Sequence, residues 1–106
     1  MHDIKWTNSE KKLAREVFDT AVQQELSEVI ADFKSKAAAL SEPDELWSLV
    51  KRTDRRRQEI DDKYDFRYSQ LLRVFGQLMR EGRITEQALT GLSEEKVSII
   101  LHIAGL

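Results

Sequence analysis

The fold is decided by the stretch DELWSLVKRTDRRRQEIDDKYDFRYSQLLRVFGQLMRE, residues 44–81. This stretch predicts one long helix whose middle has few apolar side chains to bury. Between Pro43 and Gly76 no other proline or glycine interrupts it, yet residues 51–59 contain no large apolar side chain. The helix would be about 57 Å long, whereas a compact domain of this chain length is only about 30–35 Å across. It therefore either breaks or lies against a second chain. We favour the second alternative, which indicates a homodimeric binding protein rather than an enzyme.

Composition excludes several classes of function. The chain has 106 residues, 34% of them charged, and a formal net charge of −2. Its length suits a single domain, and its charge gives no overall field that attracts nucleic acid or an anionic membrane. Without a run of 18 apolar residues, we expect no membrane insertion. The absence of cysteine excludes disulfide and thiolate chemistry and fits a cytoplasmic protein.

The first long helix is predicted over residues 8–40. Thr7 and Glu10 have the T-x-x-E spacing of a capping box, in which each side chain binds a free backbone N–H of the first turn. Apolar residues then recur at helical spacing. The charged residues off this stripe are expected to be solvated: Glu25, Glu28, Asp32, Lys34 and Lys36.

The break at residues 41–43 separates this helix from a second one, predicted over residues 43–81. So short a connection indicates an antiparallel hairpin. Gly82 follows as a left-handed cap, and Thr85 and Ser93 are placed to cap two short helices over residues 85–104. The sequence thus predicts a single all-α domain: an antiparallel hairpin of two long helices with a small two-helix C-terminal cap, forming a homodimer.

The second helix carries the predicted dimer seam. Its basic block, residues 51–57, and its acidic block, residues 59–65, would each meet the opposite block of a second copy in an antiparallel two-fold arrangement. Within the helix, Glu59 and Lys63 have the spacing of a favourable ion pair. The predicted dimer-interface residues are Leu46, Trp47, Val50, Arg57, Ile60 and Tyr64.

The sequence gives little evidence for an enzymatic or metal site. The two histidines, His2 and His102, lie near opposite ends of the chain, without a nucleophile or orienting partner nearby in sequence. The acidic cluster of residues 59–65 lacks the Glu-x-x-His pairs of di-metal bundles. We therefore predict no catalytic residue, no metal and no cofactor.

The basic run KRTDRRR, residues 51–57, is the one feature that suggests nucleic-acid binding. Asp54 interrupts this run, and an acidic run follows it, so the basic field stays local.

Trp47 lies one turn before the basic run and has two interpretations. It packs in a core or dimer interface, or it is an interface anchor near Arg57, since tryptophan and arginine are frequent binding hot spots. The second interpretation favours a protein partner, and we expect no nucleic-acid partner.

Three segments resemble the fluorescence recovery protein family of cyanobacteria: DELWSL at 44–49, RQEIDDKYDFR at 57–67 and VFGQLMREG at 74–82. The similarity is gap-free over about forty positions, which makes it more specific than any pattern above. The resemblance implies an all-helical homodimer with two long helices and a small helical head.

The resemblance also implies a function. Proteins of this family bind the C-terminal domain of the photoactivated orange carotenoid protein and speed its return from the red to the orange form, which ends quenching of the phycobilisome. They make and break no bond; they act by favouring one conformation of a client. The implied partners are therefore a second copy of the chain and a carotenoid-binding photoprotective protein.

Residue by residue, Trp47 and Arg57 match the family's functional tryptophan and arginine. Where the family carries a His-Asp pair, this chain has Val50 and Lys51, so an acidic residue is replaced by a basic one at a contact or dimer-bridging position. The predicted partner-binding residues are Trp47, Val50, Lys51, Arg57 and Phe75. The alternative function is a related dimeric helical adaptor with a different protein client.

Overall fold

The computed structural model describes residues 4–106, and this part of the chain is helical, as the sequence predicts. Helix α1 spans Asn8–Ala38, α2 Pro43–Lys63, α3 Leu71–Arg80 and α4 Glu94–Ala104, with a 3₁₀ helix at Glu86–Leu89. Thr90 and Leu92 form an isolated β-bridge, and no strand is present within the described residues.

The described chain divides into two compact units. The head comprises residues 4–21 and 64–106, and the hairpin comprises residues 22–63. Helix α1 belongs to both, because its first part lies in the head and the rest lies in the hairpin.

The predicted helix caps of α1 and α4 are confirmed. The backbone N–H of Thr7 donates to Glu10 Oε1 at 3.0 Å, and the N–H of Glu10 donates to Thr7 Oγ1 at 3.2 Å, which completes the capping box. The hydroxyl of Ser93 accepts from the N–H of Lys96 at the start of α4, and Thr85 does the same for the 3₁₀ helix. Local sequence therefore sets where these helices begin.

Gly82 ends α3 as predicted. It has a φ of 75°, which places it in the left-handed region. Its N–H donates to the carbonyl of Met79 at 3.0 Å, and the N–H of Arg83 donates to the carbonyl of Leu78 at 2.8 Å. These two bonds form a Schellman motif, which satisfies carbonyls that the helix end leaves free.

The prediction of one helix over residues 43–81 is wrong, because the chain leaves the helix after Lys63 and resumes it at Leu71. The rings of Tyr64 and Phe66 pack edge-on against Phe18, at centroid distances of 5.4 and 4.9 Å. Tyr68 contacts Phe66 at 5.7 Å and Trp6 at 5.8 Å. Aromatic residues spaced two apart match an extended segment better than a helix, so ring packing outweighs local helix propensity.

The core of the head lies mainly where α3 packs against α4. The largest fully buried side chains of the head are Leu71, Val74, Phe75, Leu78, Leu89 and Ile100. Gly76 allows the two helices to approach closely, because a Cβ at this position would lie 2.7 Å from the Cβ of Ile103. The guanidinium of Arg80 also donates to the carbonyl of Ile103.

The hairpin confirms the predicted antiparallel pairing of its two helices. Glu25 near the start of its α1 segment pairs with Lys63 at the end of α2, while Asp32 pairs with Arg52 earlier in α2. The hairpin has a small apolar interior, because only two apolar side chains among residues 22–63 are buried, Leu49 and Ile60. Its third buried residue is the charged Glu25.

Candidate protein-binding surface

The hairpin exposes six large apolar side chains, which we call the apolar face. Trp47 is 65% exposed, Ile30 55% and Val50 48%. Six exposed large apolar side chains on a unit with so small an apolar interior are typical of an interaction surface. The apolar face consists of Leu26, Ile30, Phe33, Leu46, Trp47 and Val50.

Helical spacing brings these residues together. Leu26, Ile30 and Phe33 follow one another at intervals of four and three along α1, and Val50 follows Leu46 at an interval of four along α2. Because the two helices run antiparallel, the two rows lie on the same side of the hairpin. They form one continuous surface, with Trp47 at its outer margin.

The structure places Arg57 beside this surface. Arg57 lies seven residues after Val50, on the same flank of α2, and its side chain is 77% exposed. Its guanidinium lies 3.8 Å from the carboxylate of Asp61, which is similarly exposed, so this ion pair contributes little stability. Lys51 is also exposed. Four predicted partner-binding residues, Trp47, Val50, Lys51 and Arg57, thus lie on the exposed surface of one helix.

The other predicted residues are placed differently. Phe75 has no exposed surface and belongs to the core of the head, so its assignment to partner binding is wrong. Ile60 is 6% exposed and packs inside the hairpin rather than on a seam. Tyr64 is half-buried against Phe18. After the break at Lys63, Tyr64 packs against Phe18, and Phe75 enters the core that α3 forms with α4.

The basic run forms ion pairs within its own chain, and its pairing with a second copy stays a prediction. Arg52 lies 3.5 Å from Asp32, and Arg56 lies 3.4 Å from Glu25. Together with Arg57, three of the five cations in this run already face a carboxylate of the hairpin. These pairs reduce the net positive charge that the run presents.

Glu25 was predicted to be solvated, and this prediction is wrong. It is 3% exposed, and its two carboxylate oxygens lie 2.6 and 2.9 Å from the Lys63 ammonium. Arg56 makes the third contact. Lys63 therefore pairs with Glu25 and not with Glu59 as its spacing suggests. No local pattern could have shown this, because Lys63 lies 38 residues from Glu25.

A second buried carboxylate lies in the head. Glu10 accepts from Lys96 Nζ at 3.1 Å and from the N–H of Ser93 at 2.9 Å, in addition to its capping bond with Thr7. Burial raises the pKa of this carboxyl, but the hydrogen bonds from Thr7, Ser93 and Lys96 outweigh burial and lower its pKa from 4.5 to about 2. One carboxylate thus binds the starts of both α1 and α4.

The described residues contain one histidine. His102 is exposed, and His2 lies outside the described residues. No group of three or more histidine or acidic side chains with the arrangement of a metal site occurs in residues 4–106. None of the helices in this range is long and apolar enough to cross a bilayer.

Comparison with known proteins decides the family. The family model described as the photoprotection regulator fluorescence recovery protein matches residues 6–104, nearly the whole chain. The chain belongs to the fluorescence recovery protein family. The family that the three sequence segments resemble is therefore confirmed, and with it a relationship to regulators of photoprotection.

Relatives of known sequence and structure agree. The chain is 37% identical over 101 residues to the fluorescence recovery protein of Synechocystis sp. PCC 6803, covering 95% of this chain and 93% of that one. Its fold matches the solved structures of the Fremyella diplosiphon and Synechocystis fluorescence recovery proteins, each with a TM-score of 0.91, at 31% and 36% identity. Both matches cover 96% of this chain and 100% of the other, which confirms the all-helical fold over almost its full length.

Proposed function

We propose that the chain is a homodimeric, non-enzymatic regulator of the orange carotenoid protein. In this role it binds the C-terminal domain of the photoactivated client, accelerates the return from the red to the orange form and ends quenching of the phycobilisome. The observation that carries the proposal is the apolar face of the hairpin, which belongs to a chain of a photoprotection-regulator family.

A second copy of the chain is the proposed cover of most of this face. Leu26, Ile30, Phe33 and Val50 are apolar and 37–55% exposed, so burying the exposed part of each would stabilise an assembly by about 1 kcal/mol. A two-fold interface brings the same patch of both copies together, so a self-complementary apolar row serves it well. Leu46 and Arg57 border this row and complete the proposed interface.

Trp47 is the proposed anchor for the client. It lies at the margin of the apolar face and is its most exposed member. A tryptophan that enters a partner's pocket beside an arginine is typical of an energetic hot spot. Lys51 extends the same exposed surface and gives it a positive charge that an acidic patch of the client would complement.

Binding rather than chemistry is the proposed mode of action. The regulator needs only to bind the conformations on the route back to the compact client more tightly than the open one. No catalytic residue or cofactor takes part in this proposal. We place this activity in the cytoplasm.

The first test is the dark recovery of photoactivated orange carotenoid protein, followed by absorbance, with and without the chain. We expect acceleration by the wild type and a loss of roughly tenfold or more in Trp47→Ala, since truncating a hot spot costs about 2 kcal/mol or more. Leu106→Ala is the control, because it removes an exposed apolar side chain outside the apolar face and should leave recovery unchanged.

The same experiment separates the alternative function. A dimer that fails to accelerate recovery would contradict this client and favour a helical adaptor with a different one. The observation that favours the alternative is Lys51, which reverses the charge that the resemblance leads one to expect at this position.

A further inference from the structure

A cleft between the two helices of the hairpin gathers three arginines that the proposed client surface does not use. Its volume is about 170 Å³. A single water molecule needs about 10–15 Å³ of cavity volume, so the cleft has room for a small solvated ion. It is lined by Val29, Asp32, Arg52, Thr53, Arg55, Arg56 and Glu59.

The cleft lies away from the apolar face. Glu59 follows Val50 by nine residues, which is two and a half helical turns, so the two side chains project from opposite flanks of α2. A second copy covering the apolar face would therefore leave the cleft open.

The arginines of the cleft retain unused donors. Arg52 makes one contact of 3.5 Å with Asp32, and Arg56 one of 3.4 Å with Glu25, whose charge Lys63 already balances at 2.6 Å. Arg55 makes no ion pair within residues 4–106. Each guanidinium carries five N–H groups in a planar fork that fits an oxyanion, so most of these donors remain available.

The carboxylates of the cleft restrict which anion can enter. Glu59 faces the same space as the arginines and makes no ion pair within the described chain, while Asp32 is held by Arg52. A carboxylate repels a fully ionised anion but can accept a hydrogen bond from an oxyanion that keeps a proton.

We propose that this cleft binds inorganic phosphate in a protonated form. Arg55 and Arg56, assisted by Arg52, donate to its oxygens, and Glu59 accepts the hydrogen bond from its P–OH group. Sulfate has the same shape but no proton at neutral pH, so Glu59 disfavours it. A phosphate monoester, whose second pKa is about 6, also lacks that proton at pH 7 for the most part.

Titration calorimetry of the full chain at pH 7 and constant ionic strength tests this site. We expect inorganic phosphate to bind at least tenfold more tightly than sulfate or glycerol 3-phosphate. Arg55→Gln should weaken phosphate binding at least tenfold. Lys34→Gln, which removes the same charge from an exposed position of the hairpin outside the cleft, should change it less than twofold.

Glu59→Gln tests the role of the proton separately. Its amide can donate to sulfate, so the preference for phosphate over sulfate should fall by at least threefold while circular dichroism shows the helices intact. Equal binding of phosphate and sulfate by the wild type would overturn the proposal. So would glycerol 3-phosphate binding as tightly as phosphate, or equal losses in Arg55→Gln and Lys34→Gln.

Discussion

The head and the hairpin bury their side chains in different ways. The head contains six large, fully buried apolar side chains, among them Phe75 and Ile100, and it exposes few large ones. The hairpin buries only two apolar side chains, Leu49 and Ile60, and exposes six. The comparison indicates that the head folds around its own core, whereas the hairpin depends on ion pairs and on whatever covers its apolar face.

The largest expected effect comes from removing a side chain from the core of the head. Phe75→Ala should lower the free energy of unfolding by about 3–5 kcal/mol, since it leaves a large cavity among packed residues. Urea denaturation at several protein concentrations measures it, and we expect the same loss at each concentration.

Phe33→Ala is the matched control, because it removes the same ring from the apolar face, where it is 41% exposed. Its loss of stability should be small in dilute protein and grow as the concentration rises, because association stabilises the folded state by mass action. An equal, concentration-independent loss in both variants would contradict the contrast between head and hairpin.

The next effect concerns the buried carboxylate of the hairpin. Glu25→Gln keeps the shape of the side chain but removes the carboxylate charge that lies 2.6 Å from the Lys63 ammonium, which is only 10% exposed. We expect a loss of about 3 kcal/mol, as when one partner of a buried pair is removed. Asp32→Asn, the equivalent change at a half-exposed pair, should cost about 1 kcal/mol or less in the same thermal melts. Similar losses would show that burial of Glu25 matters little.

The smallest effect is a pH dependence in the head. The pKa of Glu10 is lowered from 4.5 to about 2 on folding, so its stabilisation is complete above pH 4.5 and is lost as the pH falls toward 2. The melting temperature of the wild type should therefore fall over this window by more than that of Glu10→Gln, which has no carboxyl to protonate at this position. If the melting temperatures of the two proteins fall equally with pH, Glu10 does not cause this pH dependence.

The features that could be predicted depend on contacts between residues close together in the sequence. The caps at Thr7, Gly82 and Ser93 depend on bonds between residues a few positions apart, and the sequence predicted all three. Trp47 and Val50 are exposed, and their role in binding stays a prediction.

The predictions that were wrong depend on residues distant in sequence. The break after Lys63 follows from ring contacts with Phe18, and the burial of Glu25 follows from a lysine 38 residues away. The spacing of Tyr64, Phe66 and Tyr68, two residues apart, was the one local sign that the helix would end. Phe75, which the sequence assigns to partner binding, is buried because α3 packs against α4 after that break.

The most direct test of the central claim, that the apolar face is covered by a second copy, is the mass in solution by light scattering at micromolar concentration. We predict twice the protomer mass of 12.3 kDa for the wild type. Ile30→Asp, which places a charge in the middle of the face, should give the protomer mass with the helices intact. A wild-type mass of 12.3 kDa, or a dimer that survives Ile30→Asp, would contradict the account.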